Sequence, residues 1–395
     1  MPVAIRPYTV RVPEGILTDL RDRLARTRWP DEVEDVEWGY GIPLGYMKGL
    51  VEYWREGFDW RAQEARINEF PNYRVDIDGF GVHVIHERGR GPSPLPLLMT
   101  HGWPSSVVEM LDLIPLLTDP GAHGGDPADA FDVVVPSLPG YGFSDRPTRR
   151  GVPGPWYALW ARLMEGLGYD RYGAHAGDVG AAVSSRLTFA YPDRVVGYHT
   201  PEPQIMPGPY LGPGAHPLTD AERAYRRVQE RFNDVEGGYH HIQATRPQAL
   251  AYGLNDSPAG LAAWILDKWY TWTASPGGDL DASFTKDQLL ANVTVYWVTQ
   301  TINAANRTYY ADGHWRNPDT DPDASSVGPD ERIQAPVGVI QVATQPVERP
   351  PREYVERMAA DIRRWVELPR GGHFIALEEP ALVAEHIRAF FGPLR

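Results

Sequence analysis

Apolar residues recur at helical spacing in the stretch ILTDLRDRLARTRWP, where Ile16, Leu17, Leu20 and Leu24 share one face before Pro30 stops the pattern. A second helix is expected over PLGYMKGLVEYWREGF. The period then changes. YRVDIDGFGVHVIHE holds two alternating runs joined at Gly79 and Phe80, the pattern of a β-hairpin entering a sheet. Beyond it, short apolar runs alternate with helical stretches: PLPLLMTHG at 94–102, FDVVVPSLPG at 131–140, the approach to Asp178, RVVGYHT at 194–200 and PVGVIQVA at 336–343. Strands that are apolar throughout and separated by helices indicate a mainly parallel sheet covered on both faces, an α/β fold. Between 201 and about 330 the alternation is interrupted. That segment is rich in Tyr and Trp, has helical periodicity in AGLAAWILDKWYTW and DQLLANVTVYWVTQTINAANRTYY, and reads as a helical lid inserted into the α/β fold. The expected units are an N-terminal extension at 1–90, a first core part at 91–205, the lid at 206–330 and a second core part at 331–395. The apolar faces of the extension need a partner, so it is expected to pack on the core and lid.

Composition narrows the function classes. A chain of 395 residues, 42% hydrophobic, can bury a large core. Its net charge of −14 disfavours nucleic acid and anionic membrane as partners, since both are repelled at long range. No stretch reaches the ~18 consecutive apolar residues of a spanning helix. The start, MPVAIRPYTVRVPEG, lacks the apolar core of a signal peptide, so no membrane anchor is expected. With no cysteine there is no disulfide framework and no thiolate metal site, which fits a cytoplasmic protein.

The candidate chemistry centres on AHAGDVGA at 174–181. A strand, a tight turn and a helix here would present Asp178 at the tip, with Ala176 and Gly180 as the small neighbours that a nucleophile elbow needs. The plainer alternative is that Asp178 caps the following helix. Other residues favour the elbow. HGWP at 101–104 follows an apolar strand, so the backbone N–H groups of Trp103 and Val179 could form an oxyanion hole. His373 stands on a glycine-rich loop, PRGGHFIALEEP, before the amphipathic helix PALVAEHIRAFF. Glu348, in TQPVE, lies just beyond a strand end, where such sheets gather their reactive groups. Nucleophile, acid and histidine thus follow in the order Asp178, Glu348, His373.

These motifs, with PSLPGYGFSDRP at 136–147, GYHHIQATRPQALAYGLNDSPAGLAAWILDKW at 238–269, NRTYY at 306–310 and RGGHFIALEEP at 370–380, resemble the epoxide hydrolases of the α/β-hydrolase superfamily. Within them the chain is similar to the microsomal and juvenile-hormone type with an N-terminal extension, over nearly its whole length. The resemblance implies Asp178 as nucleophile, His373 as general base and Glu348 as its orienting acid. It also implies Tyr239 and Tyr309 as lid phenols on the epoxide oxygen, with Tyr310 the adjacent contender, and a substrate pocket walled by Trp103, Val179, Trp272, Tyr310 and Phe374. Two departures stand out. The common Gly-Gly-Asp-Trp-Gly elbow is here Ala176-Gly177-Asp178-Val179-Gly180, and the membrane-spanning helix of the microsomal members is absent, so a soluble form is expected.

A carboxylate nucleophile makes chemical sense for an epoxide. Attack by a serine would leave a stable ether, whereas attack by Asp178 leaves an ester that water can cleave. The expected partners are a small-molecule epoxide and water, with neither organic cofactor nor metal; a homodimer is compatible with the reading. HGGDPAD, the His240–His241 pair and GRGPSP read as solvated segments. Two rivals are a haloalkane or haloacid dehalogenase, which shares the aspartate chemistry but often has Trp where Val179 stands, and a non-catalytic ligand-binding homologue. Trp264, Trp269, Tyr270, Trp272 and Trp297 crowd the lid and suggest an apolar or aromatic epoxide, met in detoxification, aromatic-hydrocarbon catabolism or secondary metabolism.

Overall fold

The computed structural model describes residues 3–35, 37–147, 155–206, 208–273, 279–314, 331–344 and 349–395. Strand β1 (Ala4–Tyr8) is followed by helices α1 (Glu14–Ala25), α2 (Leu44–Glu56) and α3 (Trp60–Asn68). Helix α1 buries Leu17, Leu20 and Leu24, as its spacing requires, but ends before Pro30, where the Thr27 hydroxyl donates to Leu24 O at 2.9 Å. Asp59 caps α3 by accepting from the amides of Arg61 and Ala62. Strands β2 (Asn72–Ile77) and β3 (Phe80–Glu87) form the expected hairpin. Its turn is Asp78-Gly79, both at positive φ, one residue earlier than the sequence pattern suggests and a favoured pair for a two-residue hairpin turn.

Strands β4 (Leu95–Thr100), β5 (Phe131–Pro136), β6 (Tyr172–Ala176), β7 (Val195–Thr200), β8 (Val337–Gln341) and β9 (Ile362–Glu367) complete a nine-stranded sheet in the order β1-β2-β3-β5-β4-β6-β7-β8-β9. Pairing is antiparallel from β1 to β5 and parallel from β5 to β9. Strands β5, β6 and β8 are buried along their whole length, which is why they are apolar on both faces. The edge strands β1 and β9 carry the polar sequences AIRPY and IRRWVE, and neither has an apolar run that marks it in the sequence. Helices α4 (Leu113–Thr118), α5 (Trp156–Gly166), α6 (Asp178–Ala190) and the later α13 (Arg352–Glu356), α14 (Ile375–Glu378) and α15 (Pro380–Phe391) accompany the sheet, α5 packing on α6 and α15 on α4.

Among the described residues between β7 and β8 lie the lid helices α7 (Asp220–Val235), α8 (Gly238–Thr245), α9 (Pro247–Leu254), α10 (Pro258–Trp272), α11 (Lys286–Thr299) and α12 (Ile302–His314). The last two, continuous in their hydrophobic pattern, are broken at Gln300, whose φ of 51° is left-handed. The N-terminal helices dock on this lid. Trp54 Nε1 donates to Thr294 Oγ1 at 3.0 Å, Tyr53 OH to Asp287 at 2.8 Å and Tyr46 OH to Asp281 at 2.6 Å, while Trp38 stacks on Tyr270. Among the described residues no helix is long and apolar enough to cross a membrane.

Candidate active site

The buried strand β6 delivers the chain to an extended Gly177, and Asp178 then turns into α6 with φ of 50°. A non-glycine residue there stores about 1–3 kcal/mol of strain, which surrounding contacts must offset. They do so through close backbone approach. A Cβ on Gly180 would lie 2.3 Å from Thr100 O, and one on Gly102 would lie 2.2 Å from the Asp178 Cβ. This proximity lets Asp178 Oδ1 accept from two amides, Trp103 N at 2.7 Å and Val179 N at 2.6 Å, the two donors the sequence pointed to. His101 holds the preceding loop: its Nε2 accepts from Leu138 N at 3.2 Å, which leaves Nδ1 to donate to Gly102 O at 3.0 Å. Burial pushes that imidazole down to about 4, in keeping with a neutral structural ring.

His373 lies on the loop between β9 and α14, and its amide donates to Trp272 O of the lid at 2.9 Å. Its Nε2 stands 3.6 Å from Asp178 Oδ2. The carboxylate beside its other nitrogen is Glu202, with Oε1 3.0 Å from Nδ1 at an oblique angle. The second oxygen of Glu202 accepts from the Asp178 amide, so one side chain braces both His373 and Asp178. Glu348, the acid expected from sequence, lies outside the described residues. Glu202 follows the apolar run RVVGYHT by two residues, so the strand-end criterion that selects Glu348 would equally have selected it.

Electrostatics tie these groups together. Burial raises the Asp178 carboxyl to about 6, with Glu202 adding to the rise while His373 and the amides of Trp103 and Val179 oppose it. Burial alone would lower the His373 imidazole, but the charge and contact of Glu202, then Asp178 and Glu109, lift it to about 9. Near neutral pH the resting pair is therefore carboxylate and imidazolium.

Tyr239 on α8 and Tyr309 on α12 close over this pair. The Trp103 ring stacks on Tyr239 at 5.1 Å and meets Tyr309 edge-on at 5.9 Å, and the two tyrosines pack together at 6.1 Å. Burial raises both phenols well above their ordinary value, with Asp178 adding to it, so both stay protonated. Neither hydroxyl has a hydrogen-bond partner among the described residues. The ring contacts of Trp103 among the described residues run through Tyr309, the neighbour of Tyr310 on α12.

A cavity of about 420 Å³ opens onto Asp178, His373, Tyr239 and Trp272. Its outer wall comes from α7, through Arg226, Gln229 and Asn233, and is more polar than the aromatic-rich lid sequence suggests. Of the expected site residues, Tyr239 and Trp272 line this cavity and Trp103 a smaller one, whereas Val179, Tyr309, Tyr310 and Phe374 line neither. Phe374 instead stacks on Trp269 at 4.3 Å, inside the contact between lid and core. Among the described residues no group of three His, Cys, Asp or Glu side chains is arranged to hold a metal.

Comparison with known proteins places the fold and the family. Residues 5–110 match the family described as epoxide hydrolase N terminus, and residues 96–235 match the alpha/beta hydrolase fold. A protein of Stigmatella aurantiaca (strain DW4/3-1) named "Putative epoxide hydrolase" is 43% identical, the alignment covering 99% of this chain and 86% of that one. Epoxide hydrolase 1 of Oryctolagus cuniculus is 34% identical over 98% of this chain and 89% of its own. The crystal structure of juvenile hormone epoxide hydrolase from the silkworm Bombyx mori superposes with a TM-score of 0.84 at 28% identity, covering 100% of this chain and 95% of that one.

Proposed function

The chain belongs to the epoxide hydrolases and adds water across an epoxide to give a vicinal diol, and from that premise we propose that Asp178, His373, Glu202, Tyr239 and Tyr309 carry the reaction through a covalent aspartyl ester. The observation that carries the assignment is Asp178 itself, with one oxygen held by two amides and the other facing His373. Neither rival reading, dehalogenase or non-catalytic homologue, is favoured by the relatives.

In the first half-reaction Asp178 Oδ2 attacks an epoxide carbon. The ring C–O bond breaks, and its electron pair stays on the oxygen, which takes a proton from Tyr239 or Tyr309. Esterification removes the Asp178 charge, one of the charges that keep His373 protonated. The imidazolium can now give its proton back to the tyrosinate through solvent, and His373 becomes a base. In the second half-reaction a water oxygen attacks the Asp178 carbonyl carbon while His373 Nε2 takes its proton. The amides of Trp103 and Val179 hold the oxyanion. Collapse breaks the bond to the diol oxygen, which takes the proton from His373. Asp178 is left as a carboxylic acid containing one oxygen from water, and it returns that proton to His373.

The test is a single turnover in heavy-oxygen water, read by mass spectrometry of enzyme and product. Label should appear in Asp178 and be missing from the first diol; label in that diol would sink the covalent reading. H373Q should accumulate protein plus one substrate in the intact mass. Glu202 is proposed as the acid that orients His373, on the strength of the Nδ1 contact. Accordingly, E202Q should slow ester hydrolysis strongly and E348Q weakly, and the reverse order would transfer the role to Glu348.

A further inference from the structure

The two lid phenols stand in different electrostatic surroundings. The ammonium of Lys268, on α10, lies over the ring of Tyr239, with Nζ 5.5 Å from the ring centroid, inside the ~6 Å range of a cation–π contact. Among the described residues no lysine or arginine stands over the ring of Tyr309. The Lys268 side chain keeps only 11% exposure, so its charge acts with little solvent screening. Two carboxylates accompany it, Asp267 Oδ2 at 2.9 Å and Glu236 Oε2, from the end of α7, at 3.5 Å. Glu236 is also one of the groups that raise the Tyr239 phenol, behind burial, Asp178 and Glu202. Lys268 thus stands beside both the ring that would carry a charge and an acid that opposes that charge.

We propose that Lys268 selects Tyr239, and not Tyr309, as the phenol that gives its proton to the epoxide oxygen. The inference rests on the covalent reading above. As Asp178 Oδ2 bonds to the epoxide carbon and the ring C–O bond breaks, the electron pair goes to the oxygen, which takes the Tyr239 proton. Tyr239 is left as a phenolate, and its negative charge spreads into the ring beneath Lys268. The attraction between ammonium and ring is stronger after proton transfer than before it. An interaction that grows along the reaction coordinate lowers the barrier, where one that is equal throughout would only tighten binding. Burial, followed by Tyr239, Asp178, Tyr141 and Tyr296, raises the Tyr309 phenol. With no cation over its ring, Tyr309 holds the epoxide oxygen by a hydrogen bond and keeps its proton. Lys268 is a positioning residue: it touches no reacting atom, keeps its own protons, and acts through Tyr239, which recovers its proton from His373 as in the scheme above.

The experiment is a double-mutant cycle on the alkylation rate constant, measured by stopped flow with styrene oxide as probe. K268M keeps the length of the side chain and removes its charge. It should slow alkylation by about 10-fold in the otherwise unchanged protein, the scale of a desolvated cation–π contact, and by the same factor in Y309F, where Tyr239 is still the donor. In Y239F the ring that Lys268 serves has no proton to give, so K268M should change alkylation by less than about 2-fold there. Ester hydrolysis, in which no phenol attacks or leaves, should keep its rate. A loss in Y239F equal to that in the unchanged protein, or alkylation at the normal rate in K268M, overturns the proposal. So does recovery of the normal rate when E236Q is added to K268M, which would mean that Lys268 only neutralises Glu236. Should K268M fail to fold, K268Q carries the same cycle and is scored in the same way. The covalent reading is scored separately by H373Q: absence of its ester refutes that reading whatever the Lys268 variants do.

Discussion

In the proposed mechanism the ionisation of Asp178 sets the pH range of the first half-reaction. Burial raises its carboxyl to about 6, and only the carboxylate attacks. The alkylation rate constant should therefore be level above about pH 7 and fall as pH drops through 6, about tenfold per unit once the acid predominates. Stopped-flow alkylation measured against pH would show this, and a level profile down to pH 4.5 would contradict it. The two phenols act beside that group. Y239F or Y309F should each slow alkylation, by about 10²-fold at the lower end of general-acid assistance, and the double variant should be nearly inactive. Y310F should be close to unchanged, because Tyr309 is the residue packed against Trp103 and Tyr239. Sequence made Asp178 and His373 legible because each sits in a short motif whose backbone geometry presents it. It could not decide the acid. Glu202 and Glu348 each follow a parallel strand, and which of them turns towards an imidazole depends on loop conformation, not on residue type.

The elbow is legible for a related reason: its glycines are demanded by contacts between elements. Gly180 lets the first turn of α6 lie against the end of β4, where a Cβ would meet two backbone oxygens, Thr100 O at 2.3 Å and His101 O at 2.6 Å. Gly102 faces the nucleophile itself. These two sites should respond differently to alanine. G180A forces backbone apart and should lower stability by about 1–3 kcal/mol, read as a shift in the denaturant midpoint. G102A presses on Asp178 and should reduce the alkylation rate by more than its stability change explains. A G102A enzyme with normal alkylation would show that the amide pair does not need this close approach. Elements without such signals were harder to read. Helix α3, strands β1 and β9 and the break between α11 and α12 follow from tertiary contacts and one left-handed residue, Gln300, and no hydrophobic period marks them.

Across the whole molecule, sheet and lid meet around the site and the N-terminal extension packs on the lid. The loop of His373 is fastened to the lid through the His373 amide and Trp272 O, and the lid in turn is fastened to α2 through Trp54, Tyr53 and Tyr46. Helix α2 buries Met47, Leu50, Val51 and Trp54, and Trp54 retains only 3% exposure. The apolar face of α2 and its need for a partner on the core and lid read in the sequence, but the side chains that meet it do not, because a helical period shows that a face will be covered and not by which residues. Since the lid carries Tyr239 and Tyr309, the extension supports from a distance the two phenols proposed for the reaction. W54A should cost about 3–5 kcal/mol, the usual range for a buried Trp replaced by Ala, and should lower the midpoint of lid and core together if they unfold as one unit. Removing residues 1–90 should go further, taking strands β1, β2 and β3 out of the sheet and exposing the apolar surfaces of α10 and α11 that α1 to α3 cover. The truncated chain should then self-associate in size-exclusion chromatography and lose diol formation, while limited proteolysis cuts first within the lid. A truncated chain that stayed monodisperse with full activity would mean that the lid holds its phenols over Asp178 unaided, and that the extension serves some purpose other than supporting the site.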